Sequence, residues 1–269
     1  MLLTMAVYDT VDNSRTWMTE QTLKSLRKTV DWQRHRLMIS DNGSCRATQD
    51  LYDAYAPLID SLFLNRRNLG TANALNKAWR ERRPGEVVCK IDNDVVWHLS
   101  GWADQLDLVF QKDPTIGICG LKRRDLDEWP IQASDNGRNF YQSTLRPLPH
   151  EKGEPWLIVE DVNHVIGTCQ AFAPALLDQI GYLWQPGLYG FDDALACARA
   201  KVAGFACVFL HGQPIDHIDP GGTDFITWKQ QHAGQFLSEY FKILAEYQRG
   251  VRPIYYDGGF SEQKKGTLL

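Results

Sequence analysis

The sequence predicts an α/β fold with a mostly parallel central sheet flanked by helices, Rossmann-like in its winding. Two observations carry that prediction. Short apolar and β-branched runs alternate with segments whose apolar residues recur at helical spacing. Acidic and amide residues follow several of those runs, at the strand ends where open α/β sheets hold their ligands.

Taken in order, Leu2 to Tyr8 reads as an opening strand that ends in Asp9-Thr10. Asp12-Asn13-Ser14 offers helix caps, and Trp17, Met18, Leu23, Leu26 and Val30 follow at helical spacing. Arg36 to Ser40 is a second strand, broken by Asp41-Asn42-Gly43-Ser44. Ser44 is positioned to cap a helix from Cys45 to Ala56, with Leu51 and Tyr55 facing inward. Ile59 to Leu64 is a third strand, and the next helix runs from Thr71 to about Arg83, where Pro84-Gly85 stops it. The run Val87 to Trp97, VVCKIDNDVVW, reads as a buried strand. Gly101 to Lys112 is an amphipathic helix and Ile116 to Leu121 a strand. From Lys122 to Pro155 periodicity is lost, which reads as a long excursion over the site whose aromatics Trp129, Phe140 and Tyr141 are candidates to stack on a ligand or simply to pack. Trp156 to Ile166 returns to strand character, and Pro174 to Ile180 is a short helix. A turn-rich loop from Trp184 to Gly190 feeds a helix that opens at Asp192-Asp193. Phe205 to Leu210 is the last strand, followed by a loop carrying His217 and a final helix from about Phe225 to Gln248.

The totals narrow the class. A chain of 269 residues suits one large domain, and 43% hydrophobic with 23% charged residues is ordinary for a globular protein. The net charge of −4 gives no electrostatic case for nucleic acid as a bulk partner. No apolar run approaches the roughly 20 residues of a membrane helix. The first residues lack the basic start and apolar length of a signal peptide. Six cysteines without a CxxC pair, mostly inside apolar runs, are expected to be buried thiols of a reducing compartment, the cytoplasm.

Within Val87–Trp97, Asp92 and Asp94 leave the same face if the strand is regular, and two carboxylates that close favour a cation beside them. A divalent metal bridging to a diphosphate accounts for them; an acidic strand end capping the next helix is the alternative. Asp41, at another strand end, is placed to accept from a base imide or a ribose hydroxyl. Asn68-Leu69-Gly70, with Asn73 and Asn76, places amides and a flexible backbone at a helix start, where dipole and free N–H groups favour a phosphate, and Arg67 beside them is a further candidate for the nucleotide. His217 adds an imidazole, and oxygen ligands with one histidine suit Mn²⁺ or Mg²⁺, tilted towards Mn²⁺. Asp192-Asp193 complements a helix dipole, or does chemistry.

The segments ISDNGS, NRRNLGTANALNKAW, CKIDNDVVW, GTCQAFAPALLDQIGYL and YGFDDALACARAKVAGF, in this order, resemble a family 2 glycosyltransferase of the GT-A fold, over roughly Leu2 to Asp219. That resemblance implies a metal-dependent, inverting transfer from a nucleoside-diphosphate sugar, usually UDP-linked, to an acceptor hydroxyl on a glycan, a lipid-linked glycan, a small molecule or a modified base. It implies that Ala6, Val7, Tyr8 and Asp41 hold the nucleobase and that Asp92, with Asn93 beside it, meets the ribose. Asp94 and His217 would bind the metal, and Asp193, partnered by Asp192, would be the general base. Thr168, Cys169 and Gln170 would face sugar or acceptor; Trp129, in the 122–155 stretch that the resemblance does not cover, is a candidate for the same place only as an aromatic of that excursion. Residues 1–224 would form the transferase domain, with 1–100 its nucleotide half and 101–224 its acceptor half, and 225–269 would pack on it. Asp192 stands where the family usually has Glu, Tyr8-Asp9 where Tyr-Asn is common, and Lys90 is unusual inside a strand, where it reaches an edge or neutralises the acids. A nucleotidyltransferase, which commonly carries a Gly-rich basic loop after the first strand, is discounted by the Tyr-Asp-Thr-Val-Asp-Asn found there. A non-catalytic nucleotide- or carbohydrate-binding module stays open. So does transfer to modified nucleic acid bases, for which Arg66, Arg67, Lys122, Arg123 and Arg124 offer a local basic rim.

Overall fold

The computed structural model describes residues 1–128, 144–219 and 223–260. Three segments of the first part are hydrogen-bonded as parallel neighbours: β1 (Leu2–Val7), β2 (Arg36–Asp41) and β3 (Ile59–Leu64). On the other side of β1 lies β4 (Val88–Ile91), again parallel. The helices α1 (Thr16–Thr29), α2 (Arg46–Ala54) and α3 (Thr71–Trp79) connect them. Strand β1 is buried nearly throughout, because helices cover both faces of the sheet there, so its sequence is apolar except for Thr4. The sheet ends at β3, whose alternating burial is that of an edge strand with one wetter face.

Beyond β4 most neighbouring strands are antiparallel. The sheet is mixed, and only its first half is the parallel array expected from the sequence. The strand β9 (Cys169–Phe172) lies antiparallel between β4 and β6 (Ile116–Arg123), and β6 pairs in parallel with β10 (Ala206–His217). Antiparallel β8 (Ile158–Val162) and β7 (Thr144–Pro147) complete that side. The order is β3-β2-β1-β4-β9-β6-β10-β8-β7. A crossover helix is needed only between parallel neighbours; β9 enters antiparallel and brings α6 (Pro174–Ile180) after it.

The segment Val87–Trp97 is not one strand. It divides into β4 and β5 (Val95–Trp97), with Asp92-Asn93-Asp94 in the turn between them. Strand β5 leaves β4 to pair antiparallel with the far end of β10, which sets His217 opposite Val95. His217 is therefore on a strand rather than in a loop. The helix α4 (Trp102–Lys112) follows β5, and its Trp102 stacks on Trp97 with ring centroids 5.0 Å apart. Two of the buried indoles reach hydroxyl acceptors: Trp79 Nε1 donates to Thr4 Oγ1 at 3.0 Å and Trp102 Nε1 to Thr29 Oγ1 at 3.2 Å.

The helix α7 (Asp192–Val202) is tied to the chain's later part. Arg199 is fully buried and donates to the carbonyls of Tyr182 (2.8 Å), Ile254 (2.7 Å) and Ile180. The expected last helix is two, α8 (Thr223–Gly234) and α9 (Leu237–Gln248), with the break after Gly234. Ile243 and Tyr247 of α9 pack on Leu195 of α7. The expected capping by Ser44 does not form: its Oγ accepts from the Asp9 N–H at 3.0 Å, and Cys45 precedes α2. A short α5 (Asp125–Glu128) lies in the 122–155 excursion, whose residues Trp129, Phe140 and Tyr141 lie outside the described residues. No helix among the described residues is long and apolar enough to cross a membrane, and all six cysteines are free thiols.

Candidate active site

The ends of β1 and β4, the turn after β4, the start of α7 and the end of β10 surround a cleft of about 300 Å³. Its walls include Ala6, Val7, Tyr8, Asn68, Asp92, Asn93, Asp94, Thr168, Asp192, Asp193 and His217, all expected from the sequence to serve a site. Two charge clusters line it.

The first is built on the Asp92–Asp94 turn. Asn93 is turned sideways, and its Nδ2 donates to Asp9 Oδ1 (2.9 Å) and Thr19 Oγ1 (2.7 Å), fastening the turn to the end of β1. Asp94, thus presented, lies with Oδ2 3.3 Å from His217 Nε2. The Ile218 N–H donates to the Asp94 carbonyl at 2.9 Å, so the β5–β10 pairing holds the two together. Asp219 joins them: Asp94, His217 and Asp219 each offer a ligand atom, all within 4.8 Å of one another. Two carboxylates and an imidazole are a donor set for a hard or borderline divalent cation. The Arg15 guanidinium lies across the same carboxylates, contacting Asp94 Oδ2 and, at 3.0 Å, Asp219 Oδ2. Asp92 keeps 38% of its side chain exposed, and its carboxyl is pushed up to about 6 by loss of surrounding water and by Asp94 and Asp192, with Lys90 opposing.

The second cluster opens α7. Phe191, the residue before it, is held at φ 68°, a conformation that strains a side chain bearing a Cβ; its ring stacks on Tyr240 at 4.4 Å. That turn aims Asp192 and Asp193 back at the sheet. Asp192 is buried and receives Lys90 Nζ at 2.6 Å, so the lysine inside β4 is there to neutralise an acid. Asp193 accepts from the Gly167 N–H (2.8 Å, Oδ2) and the Ala194 N–H (2.7 Å, Oδ1), and His164 Nε2 stands 3.3 Å from Oδ2. Burial alone would raise its proton affinity, but His164, Lys90 and the Gly167 amide hold its carboxyl well below the usual range. Burial likewise disfavours charge on His164, yet Asp193 wins and raises it to about 9. A Cβ on Gly167 would stand 2.5 Å from Lys90 Nζ and 3.2 Å from the Asp193 Cβ, so only glycine leaves room for this contact.

Several expected residues are elsewhere. Asp41 does not line the cleft: it is buried, with Oδ1 accepting the Gly43 and Ser44 N–H groups (2.9 and 2.8 Å) and Oδ2 the Tyr52 hydroxyl (2.6 Å). Its acceptors are engaged in shaping the β2–α2 turn. The start of α3 is not an open phosphate cradle, because the Thr71 N–H donates to the Leu188 carbonyl (3.3 Å) and the Ala72 N–H to Gln185 Oε1 (2.9 Å). Gly70 serves that closure: at φ 81° it lets the loop approach so closely that a Cβ would meet Leu188 Cα at 2.9 Å. Arg67 and Asn73 are exposed away from the cleft lining. Cys169 and Gln170 are buried in β9, where Gln170 Nε2 donates to the Val165 carbonyl at 3.1 Å, so of the three residues expected to face sugar or acceptor there, Thr168 alone lines the cleft. Trp129 lies outside the described residues.

The cleft also holds residues the sequence did not single out, Arg15, Asn42, Gly167 and Tyr189, and, of the expected basic rim, Arg123. Asp219, two positions beyond His217, was readable from that spacing; Arg15 and His164 carry no local signal, since their partners are remote in the chain.

No curated protein matches the chain by sequence. Among solved structures, the chain is similar to the mannosyltransferase PcManGT from Pyrobaculum calidifontis in complex with GDP-Man and Mn²⁺ (TM-score 0.65, 17% identity, covering 90% of this chain and 64% of that one). It is also similar to S. aureus TarS 1-349 in complex with UDP-GlcNAc (0.57, 15%, 92% and 71%) and to GalNAc-T7 with UDP, GalNAc and Mn²⁺ (0.56, 14%, 80% and 43%). At these identities the likeness is one of fold, the GT-A fold, and the chain spans just under two thirds of PcManGT. The profile of Glycosyl transferase family 2 matches residues 17–181, more than half of the chain. With that match, on a sheet whose strand ends gather acids into one cleft, the chain belongs to glycosyl transferase family 2.

Proposed function

We propose that the protein transfers a sugar from a nucleoside-diphosphate sugar to an acceptor hydroxyl, with inversion at the anomeric carbon, and that UDP is the carrier. The observation that carries this reading is the pairing, in one cleft, of a cation-type donor set (Asp94, His217, Asp219) with an oriented carboxylate (Asp193). Asp94, His217 and Asp219 would hold Mn²⁺ or Mg²⁺, which supplies charge stabilisation to a departing diphosphate. Two of the similar structures contain Mn²⁺ with a nucleotide or nucleotide sugar, which supports the same assignment here.

In this reading Ala6, Val7, Tyr8 and Asn68 line the place of the nucleoside, and Asp92 faces the ribose. Asp193 takes the proton of the acceptor hydroxyl as that oxygen attacks the face opposite the leaving diphosphate. Its hydrogen bonds to the Gly167 and Ala194 amides fix its direction, and His164 and Lys90 keep it ionised. A carboxylate held so firmly anionic is a modest base, so orientation supplies more of its effect than proton affinity does. Asp192 acts through Lys90, keeping that charge beneath the site. Six free cysteines support a reducing compartment, for which we take the cytoplasm.

Asp193→Asn tests the assignment. It is expected to lower transfer from the matching nucleotide sugar by about 10³-fold or more while nucleotide binding persists. Transfer at the wild-type rate by this variant contradicts the reading, and binding without turnover by the wild type, across UDP and GDP sugars, favours a binding module instead.

A further inference from the structure

We propose that Arg15 is a displaceable internal cation: its guanidinium neutralises Asp94 and Asp219 until a divalent ion takes those oxygens, and then serves the diphosphate. This rests on the metal assignment above and adds to it how the site is loaded.

The Arg15 side chain is 6% exposed, as are those of Asp94 and Asp219. Two carboxylates this buried cannot both stay ionised without a neighbouring positive charge. Arg15 meets that need with both arms of its fork, NH2 to Asp94 Oδ2 and NH1 to Asp219 Oδ2 at 3.0 Å. His217 Nε2 faces the same Asp94 Oδ2 at 3.3 Å. The oxygen that a metal would share with His217 is thus the one Arg15 already holds. Cation and guanidinium on one oxygen repel strongly in so dry a place, so loading breaks the Arg15–Asp94 contact.

The backbone keeps Arg15 nearby afterwards. Arg15 follows Ser14, which sits at φ 51°, and its N–H donates to Asn13 Oδ1 at 3.2 Å. Asn13 Oδ1 also accepts the Thr10 N–H (2.9 Å), and Asn13 Nδ2 donates to the Tyr8 carbonyl (2.8 Å). This knot fixes the base of the side chain beside Ala6, Val7 and Tyr8, on the cleft wall. A released guanidinium there is within the same cleft as a bound diphosphate, whose oxygens suit its fork. Metal and nucleotide then reinforce one another: the nucleotide gives Arg15 a new partner, and its departure frees the metal's oxygens.

The test is titration of Mn²⁺ into wild type, Arg15→Gln and Arg15→Lys, with free Mn²⁺ read by its EPR signal, alone and with UDP or GDP. Wild type is expected to bind Mn²⁺ weakly alone and at least tenfold more tightly with the matching diphosphate. Arg15→Gln should bind Mn²⁺ alone at least tenfold more tightly than wild type and lose most of the nucleotide's enhancement. Arg15→Lys, which retains a charge but no fork, should gain about threefold, and it carries the test if the glutamine variant fails to fold. If the variants bind Mn²⁺ no more tightly than wild type, while wild type still forms the ternary complex, the role of Arg15 is refuted and the metal site stands. If no protein binds Mn²⁺ even with either diphosphate, the metal assignment itself falls, and this proposal with it.

Discussion

Replacing His164 by asparagine isolates the charge that keeps Asp193 anionic. His164 is raised from an ordinary 6.5 to about 9, chiefly by Asp193, with Asp192 and the Cys197 thiol also facing it. Each tenfold change in proton affinity is worth about 1.4 kcal/mol, so the pairing contributes at most about 3 kcal/mol. With side chains 19% and 21% exposed, solvent screening brings this to about 1–2 kcal/mol. A histidine with a raised folded value contributes its full stability below the unfolded value, near 6.5. It loses that contribution as pH rises through about 9. Urea unfolding of wild type should therefore weaken by about 1–2 kcal/mol between pH 6.5 and 9.5, relative to His164→Asn. The variant should be less stable than wild type by about that amount at pH 6 and converge with it at high pH. A second readout separates chemistry from packing. Without His164, the Asp193 carboxyl moves upward, so the acid limb of kcat/KM should move to higher pH. Parallel stability curves, or an unmoved acid limb, would refute the electrostatic coupling of the pair.

Other perturbations read other parts of the structure. Lys90→Met leaves Asp192 buried without its cation and should cost about 3–5 kcal/mol in urea unfolding; the double change Lys90→Met with Asp192→Leu should recover much of it. Gly181→Ala places a Cβ 2.2 Å from the Tyr256 carbonyl at φ 74°, and should lower stability by about 2–4 kcal/mol by pushing off the segment that Tyr182 and Tyr256 backbone bonds hold.

The parallel half of the sheet is legible in the sequence because its inner strands are buried on both faces, so β1 is apolar at every position but Thr4. Strand β9 is not: its four residues, Cys169 to Phe172, carry a buried glutamine whose Nε2 reaches the Val165 carbonyl and the Cys197 thiol, partners the local pattern does not reveal. The Asp92–Asp94 motif shows the right residue types in a local geometry that the pattern does not reveal. A regular strand would align the two carboxylates, whereas the turn directs Asn93 to Asp9 and Asp94 to His217. The end of β10 reads as loop because Gly212 and Pro214 interrupt its pattern, although its last residues pair with β5. Asp41 shows the opposite failure, since a carboxylate at a strand end is suited equally to a ligand and to its own turn's amides, and here the turn takes it. Arg15 and His164 become visible only through tertiary contact: Arg15 meets Asp94 across 79 positions of chain.

The most direct measurement of the central claim is thermal unfolding of wild type and Asp94→Asn with UDP or GDP, each with and without Mn²⁺. Wild type should be stabilised by about 2–3 kcal/mol when the matching diphosphate and Mn²⁺ are together at about 100 times the dissociation constant. Asp94→Asn should lose that metal-dependent gain. An undiminished gain in Asp94→Asn, with Mn²⁺ still required, would place the cation away from Asp94 and His217 and contradict the account.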